Sequence, residues 1–212
     1  MVTLIHLPRT AGTFLQQLAK NTPGLNSTTT PHKPAKDCDK TLCLIGIIRN
    51  PFDWYVSRYE YFRNTRPCGG QEKGVSNRND LGYTREQYND KYISLKQSIM
   101  EIVNIPEYVC EKCGHINEKP PKFWLYDMYK YMFCDSNNIL LLKHVIKFEK
   151  LSTDLPKILK QYNIGLSTSI DKMTYFRNQS DRKPYQEYYD EELKEIIYQK
   201  DKFIFDTYGY TF

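Results

Sequence analysis

The segment Leu42–Ser57 (Leu-Cys-Leu-Ile-Gly-Ile-Ile-Arg-Asn-Pro-Phe-Asp-Trp-Tyr-Val-Ser) constrains the fold more than any other part of the chain. Leu42 to Ile48 is short, apolar and rich in β-branched residues, which predicts a buried strand. Asn50-Pro51 predicts a helix start, because proline fits the first helical turn, where its missing N–H has no intrahelical partner to lose. Arg49 therefore falls at the carboxyl end of a strand and Ser57 about two turns into the following helix. Open α/β sheets bind ligands at such strand ends. A guanidinium placed there can bond two oxygens of a phosphate at once. Taken alone, the same residues also fit a strand end with a surface arginine.

A second junction of this kind opens the chain. Val2–Leu7 predicts a strand, Pro8-Arg9-Thr10-Ala11-Gly12-Thr13-Phe14 a tight loop of small residues, and Phe14–Lys20 an amphipathic helix. Backbone N–H groups at a helix N-terminus point at an anion, and the helix dipole favours negative charge there. Ala11 and Gly12 allow close backbone approach. Thr10 and Thr13 can add hydroxyl donors, and Arg9 supplies charge. The Walker A pattern is absent. Two anion loops, each after a predicted parallel strand, could hold the two ends of a doubly phosphorylated nucleotide.

With these residues in view the chain resembles a known family. Leu7–Thr13 resembles the 5′-phosphosulfate loop of sulfotransferases that use 3′-phosphoadenosine 5′-phosphosulfate (PAPS). Arg49-Asn50-Pro51 with Ser57 resembles that family's 3′-phosphate site, at the same spacing. Asn178-Gln179-Ser180-Asp181-Arg182, with Tyr185, Tyr188-Tyr189, Glu192-Leu193, Asp201 and Tyr208-Gly209-Tyr210, is similar to the end of the membrane-type carbohydrate sulfotransferases, such as the heparan 2-O and chondroitin enzymes. Val145–Leu151 with Asp154-Leu155 is similar to their penultimate strand and helix. The resemblance covers roughly residues 1–63 and 138–212.

The resemblance implies a PAPS-binding α/β fold, a three-layer sandwich around a mostly parallel sheet like that of P-loop kinases. It implies transfer of a sulfonate to an acceptor hydroxyl, on a glycan for the resembled branch, with PAPS as co-substrate and no metal. Arg9 would contact the phosphosulfate and stabilise the leaving group. The family usually carries lysine here, and arginine keeps the charge but cannot donate a proton. Thr10, Ala11, Gly12, Thr13 and Phe14 would line the phosphosulfate loop, Arg49 and Ser57 would hold the 3′-phosphate, and Ser180 and Arg182 would close over it. His32, in Thr30-Pro31-His32-Lys33-Pro34, lies where the heparan 2-O type enzymes place a histidine base. Its near-neutral titration suits that role, and Glu60 is the reserve candidate. A non-enzymatic or inactive protein of the same fold, binding 3′,5′-phosphorylated nucleotide (PAP) or polyanions, is the alternative.

At 212 residues the chain is expected to be a single domain over 1–212. An irregular, cysteine-containing excursion is expected around 64–121, with its most mobile part between Arg63 and Gln87. A net charge of +5 suits anionic ligands but is too mild to imply nucleic acid. The first strand begins at Val2 and no apolar run approaches membrane-spanning length. A soluble, cytoplasmic protein without a membrane segment is expected, a chain trimmed of an anchor being the other explanation. Cys110-x-x-Cys113, with His115 nearby, has zinc-ligand spacing; a redox or disulfide pair and free thiols remain open. Cys38 and Cys43 could form a second pair, although Cys43 is expected to enter the central strand. Further helices are predicted at Leu95–Val103, Phe123–Phe133, Ser152–Tyr162 and Glu187–Tyr208. Short strands are predicted near Ser27–Thr30 and at Ile139–Leu142 and Val145–Phe148.

Overall fold

A computed structural model describes residues 1–28, 32–64, 94–104, 124–166, 170 and 182–212. The chain divides into two units, Met1–Asn50 with Met128–Gln179, and Pro51–Asp127 with Ser180–Phe212.

The first unit is built on a sheet of four parallel strands in the order β2-β1-β3-β4: β1 Val2–His6, β2 Leu25–Ser27, β3 Cys43–Ile48 and β4 His144–Lys147. All five residues of β1 are buried, as are the last five of β3. Near-continuous apolar strands are what a parallel sheet covered on both faces requires. Residues alternate between the faces. Val2, Leu4, Ile45, Ile47 and Ile146 pack with Phe14, Leu15 and Leu18 of helix α1 (Gly12–Lys20) and with Leu151, Leu155 and Leu159 of helix α5 (Leu151–Gln161). On the opposite face, a Cβ added to Gly46 would lie 2.2 Å from Leu142 Cδ1 and 3.2 Å from the Phe133 ring, so the bare glycine lets that covering layer close. The architecture is α/β, with the sheet between two side-chain layers.

The predicted strand at Ile139–Leu142 does not form. Leu140 makes only an isolated antiparallel bridge to Cys134. The carboxylate of Asp135 accepts from the N–H groups of Asn137 (2.8 Å) and Ile139 (2.9 Å), a local turn that competes with strand pairing. Ile139, Leu140 and Leu141 are left exposed. The strand expected near Ser27–Thr30 ends at Ser27, and residues 29–31 lie outside the described set.

The second unit holds helices α2 (Pro51–Asn64), α3 (Leu95–Asn104) and α6 (Glu191–Tyr208). Helix α4 (Leu125–Phe133) begins in this unit and ends in the first. The predicted C-terminal helix is split. Tyr185–Tyr188 forms one 3₁₀ turn, and Asp190 then caps α6, accepting from the Leu193 N–H at 2.8 Å. The helix ends on Gly209 in the left-handed region (φ 58°), as the sequence predicts. Phe203 is 42% exposed. Asp201 departs from helical geometry (φ −109°, ψ 18°), and the buried residues of the helix are Leu193, Ile197, Asp201, Ile204 and Phe205.

Asp201 is fully buried. It accepts from the Tyr55 hydroxyl (2.8 Å) and the Tyr126 N–H (2.8 Å), while Tyr55 accepts from the Leu125 N–H (2.9 Å). One carboxylate thus ties α2, the start of α4 and α6. Burial pushes its carboxyl up to about 7, against the pull of those two donors and with a further push from the Asp127 charge. The folded state therefore holds this proton to higher pH than the unfolded chain. The stability it confers is fully present below the ordinary aspartate value of 3.8 and is lost as pH rises through about 7. Replacing Asp201 with Asn should flatten the fall in the urea midpoint between about pH 4 and about pH 7. An undiminished slope would assign that pH dependence to another group.

Candidate anion site at the carboxyl edge of the sheet

Strands β1 and β3 pair in parallel with His6 opposite Ile47, so the segments that follow them leave the same sheet edge side by side. Arg49 Nη1 donates to the Arg9 carbonyl at 3.0 Å, fastening the second segment to the first. The guanidinium also lies over the Phe148 ring, 4.6 Å from its centroid, and is nearly buried. Beside it, the Asn50 N–H donates to Glu149 Oε1 at 2.8 Å. Glu149 is a contact that spacing alone does not reveal, 99 residues away in sequence.

The first loop is unusually bent for non-glycine residues. Arg9 (φ 67°) and Ala11 (φ 63°) both adopt left-handed backbone, at a cost on the order of 1–3 kcal/mol each. Thr10 stabilises the bend. Its N–H (3.1 Å) and its hydroxyl (2.5 Å) both donate to the Leu7 carbonyl, and the side chain is fully buried. The Thr10 hydroxyl is therefore a brace of the loop, where the sequence suggested a ligand donor. Phe14 likewise turns its ring into the core. Arg9 and Gly12 are half-buried and Thr13 is exposed.

Helix α1 starts at Gly12 without a side-chain cap, and its first bond runs from the Leu15 N–H to the Ala11 carbonyl at 2.9 Å. The N–H groups of Gly12, Thr13 and Phe14 occupy the positive end of the helix, the arrangement that receives an anion.

His6 was legible only as a strand residue, yet it completes this edge. It is 2% exposed, and its Nδ1 lies 2.7 Å from the Leu7 carbonyl. A Cβ on Gly12 would stand 2.3 Å from His6 Cε1 and 2.7 Å from Nε2, so only glycine lets the helix head approach the ring. His32, half-buried, meets the same ring edge to face, with centroids 4.9 Å apart and planes at 89°. Burial, then the neighbouring His32, lowers His6 to about 4, outweighing the Leu7 carbonyl; His6 is neutral at physiological pH. The first unit thus brings together Arg9, Gly12, Thr13, His32 and Arg49 of the predicted site.

The remaining predicted residues belong to the second unit or lie outside the described residues. Ser57 is buried on α2. Arg182 is ion-paired with Asp53 on the first turn of α2. Glu60, the reserve base, accepts from the Tyr188 hydroxyl at 2.8 Å. Burial, then Glu60, pushes that phenol up to about 12. Ser180, Cys110, Cys113 and His115 lie outside the described residues, as does the segment between Arg63 and Gln87 from residue 65 onward. Cys43 opens β3, as expected. Among the described residues no group of three or more His, Cys, Asp or Glu could hold a metal ion, and no helix is long and apolar enough to cross a membrane.

No protein-family model matches the chain, and no curated protein matches it. Among solved structures, the chain is similar to mouse sulfotransferase SULT7A1 complexed with PAP, at 14% identity and a TM-score of 0.32. The similarity covers 76% of this chain and 56% of the other, so this chain spans little more than half of that protein's length. The α/β assignment rests on the parallel sheet itself.

Replacing Gly12 with Ala should force the His6 ring or the loop to move, lowering unfolding stability by about 1–3 kcal/mol in urea denaturation. A variant as stable as the parent would show that the ring yields without cost.

Proposed function

We propose that the chain is a PAPS-dependent sulfotransferase acting on an acceptor hydroxyl, with a carbohydrate as the favoured acceptor. The observation that carries this reading is the pair of segments leaving β1 and β3 side by side, one heading an uncapped helix and the two joined by Arg49 Nη1 and the Arg9 carbonyl. That edge offers backbone donors, a helix dipole and two guanidinium groups to an anionic ligand, and the sequence resemblance names the anion. The carbohydrate acceptor and the kinship with membrane-type enzymes rest on the sequence resemblance alone.

In this reading the acceptor oxygen attacks the sulfur of PAPS in line. The new S–O bond forms as the bond from sulfur to the phosphate oxygen breaks, and PAP leaves. Arg9 and the N–H groups of Gly12, Thr13 and Phe14 offset the charge that grows on the leaving phosphate. Arg49 holds the 3′-phosphate. Ser57, Ser180 and Arg182 are assigned to it by sequence pattern alone. His32 takes the acceptor proton, and a neutral imidazole suits that step near neutral pH. The charge compensation comes from arginine and the helix, so the proposed reaction needs no metal, and EDTA should leave turnover unchanged.

Two measurements test the proposal. Replacing Arg49 with Ala should weaken PAP binding about tenfold or more in calorimetry, the scale of losing a charged hydrogen bond. Unchanged affinity would remove Arg49 from the site. Replacing His32 with Ala should cut sulfated product by about 10²–10⁴-fold, followed by mass spectrometry with PAPS and a glycan panel, while PAP affinity stays intact. Near-normal turnover would give the base role to Glu60 or another group. A protein that binds PAP yet sulfates nothing would fit the non-enzymatic reading.

A further inference from the structure

We propose that His6 is a positioning residue for His32: a neutral imidazole that fixes the His32 ring beside the head of α1 and accepts a hydrogen bond from it once His32 carries a proton. The proposal rests on the reading of His32 as the base.

The tautomer of His6 follows from its partner. A carbonyl only accepts, so the Nδ1 that lies 2.7 Å from the Leu7 oxygen carries the hydrogen, and Nε2 is left as a bare lone pair. That nitrogen is buried and has no hydrogen-bond partner among the described residues. An unsatisfied buried acceptor costs on the order of 1–3 kcal/mol, and such groups in native structures often mark a function. The ring cannot swing away. Leu7 holds one side, and Gly12 packs so closely against Cε1 and Nε2 that no side chain fits between them. His32 is the aromatic neighbour at 4.9 Å.

The surroundings favour this pairing over others. β3, beside His6, presents Gly46 and Ile47, which carry no charge. Helix α1 presents Gly12. Among the described residues, the titratable ring that faces His6 is His32. The charged side chains described at the same edge are Arg9, Arg49, which is bonded to the Arg9 carbonyl, and Glu149, which accepts from the Asn50 N–H. Burial and the His32 charge hold His6 neutral, so it presents a lone pair and not a competing positive charge. A catalytic base is commonly oriented by a third group. A carboxylate in that place would favour a permanently charged His32, whereas a neutral acceptor favours the imidazolium only after proton transfer.

The test is a histidine NMR titration of the whole chain, with calorimetry using PAP alongside. In the parent, the nitrogen shifts should show His6 as the Nδ1–H tautomer through neutral pH. In His6→Phe, which keeps a ring against Gly12, the His32 titration should move to lower pH and turnover should fall while PAP affinity holds. Should that variant not fold, His32→Ala supplies the reciprocal measurement, and the His6 midpoint should rise from about 4. A protonated Nε2 in the parent, an unmoved His32 in folded His6→Phe, or an unmoved His6 in His32→Ala would overturn the proposal. If these shifts appear but PAP does not bind, the coupling of the two rings stands and the sulfotransferase reading falls.

Discussion

The parallel pairing of β1 with β3, His6 opposite Ile47, is the constraint on which the first unit depends. Parallel strands end at the same sheet edge, so their following segments must share space there. One segment becomes the bend Pro8–Ala11, the other begins with Arg49. The bend is strained at Arg9 and Ala11. Two hydrogen bonds from Thr10 and one from Arg49 act against that strain. Bonds from charged groups contribute about 1.5–3 kcal/mol and neutral ones about 0.5–1.5 kcal/mol, a total of the same size as the cost of two left-handed residues. The bend is therefore held by its neighbours, which is how preorganised sites are commonly kept.

Each neighbour also has a chemical consequence. Arg49 cannot leave its place without releasing the Arg9 carbonyl. Gly12 cannot gain a side chain without displacing His6. Helix α1 begins without a side-chain cap. The second unit organises itself differently, around Asp201, a buried carboxylate that gathers Tyr55 and the Tyr126 N–H. Its stability is accordingly tied to a proton, whereas the sheet unit is held by apolar packing.

Much of this was legible in the sequence because local rules agreed. The apolar run ending at Ile48 followed by Asn50-Pro51 gave both the strand and the helix start, and Gly209 marked the end of α6. The readings that failed did so where a polar side chain overrode the apolar pattern. Asp135 turned Ile139–Leu142 away from strand pairing, and Asp190 reset the start of α6. Within the candidate site, sequence pattern and the family resemblance pointed to Arg9, Arg49 and His32, which belong to the first unit. They could not show that the Thr10 hydroxyl is spent on Leu7, because that depends on the bend. His6 was hidden for a related reason: its last-strand position and the glycine six residues later become informative only once β1 and α1 are brought together.

In the proposed reading, the loop at the head of α1 receives the phosphosulfate end of the nucleotide. Amide NMR during titration with PAP addresses it directly. Saturable shifts at the Gly12, Thr13 and Phe14 N–H groups, retained at moderate salt and lost on replacing Arg9 with Ala, are the predicted result. Saturable PAP binding that leaves those three amides unmoved, or no binding at all, would contradict it.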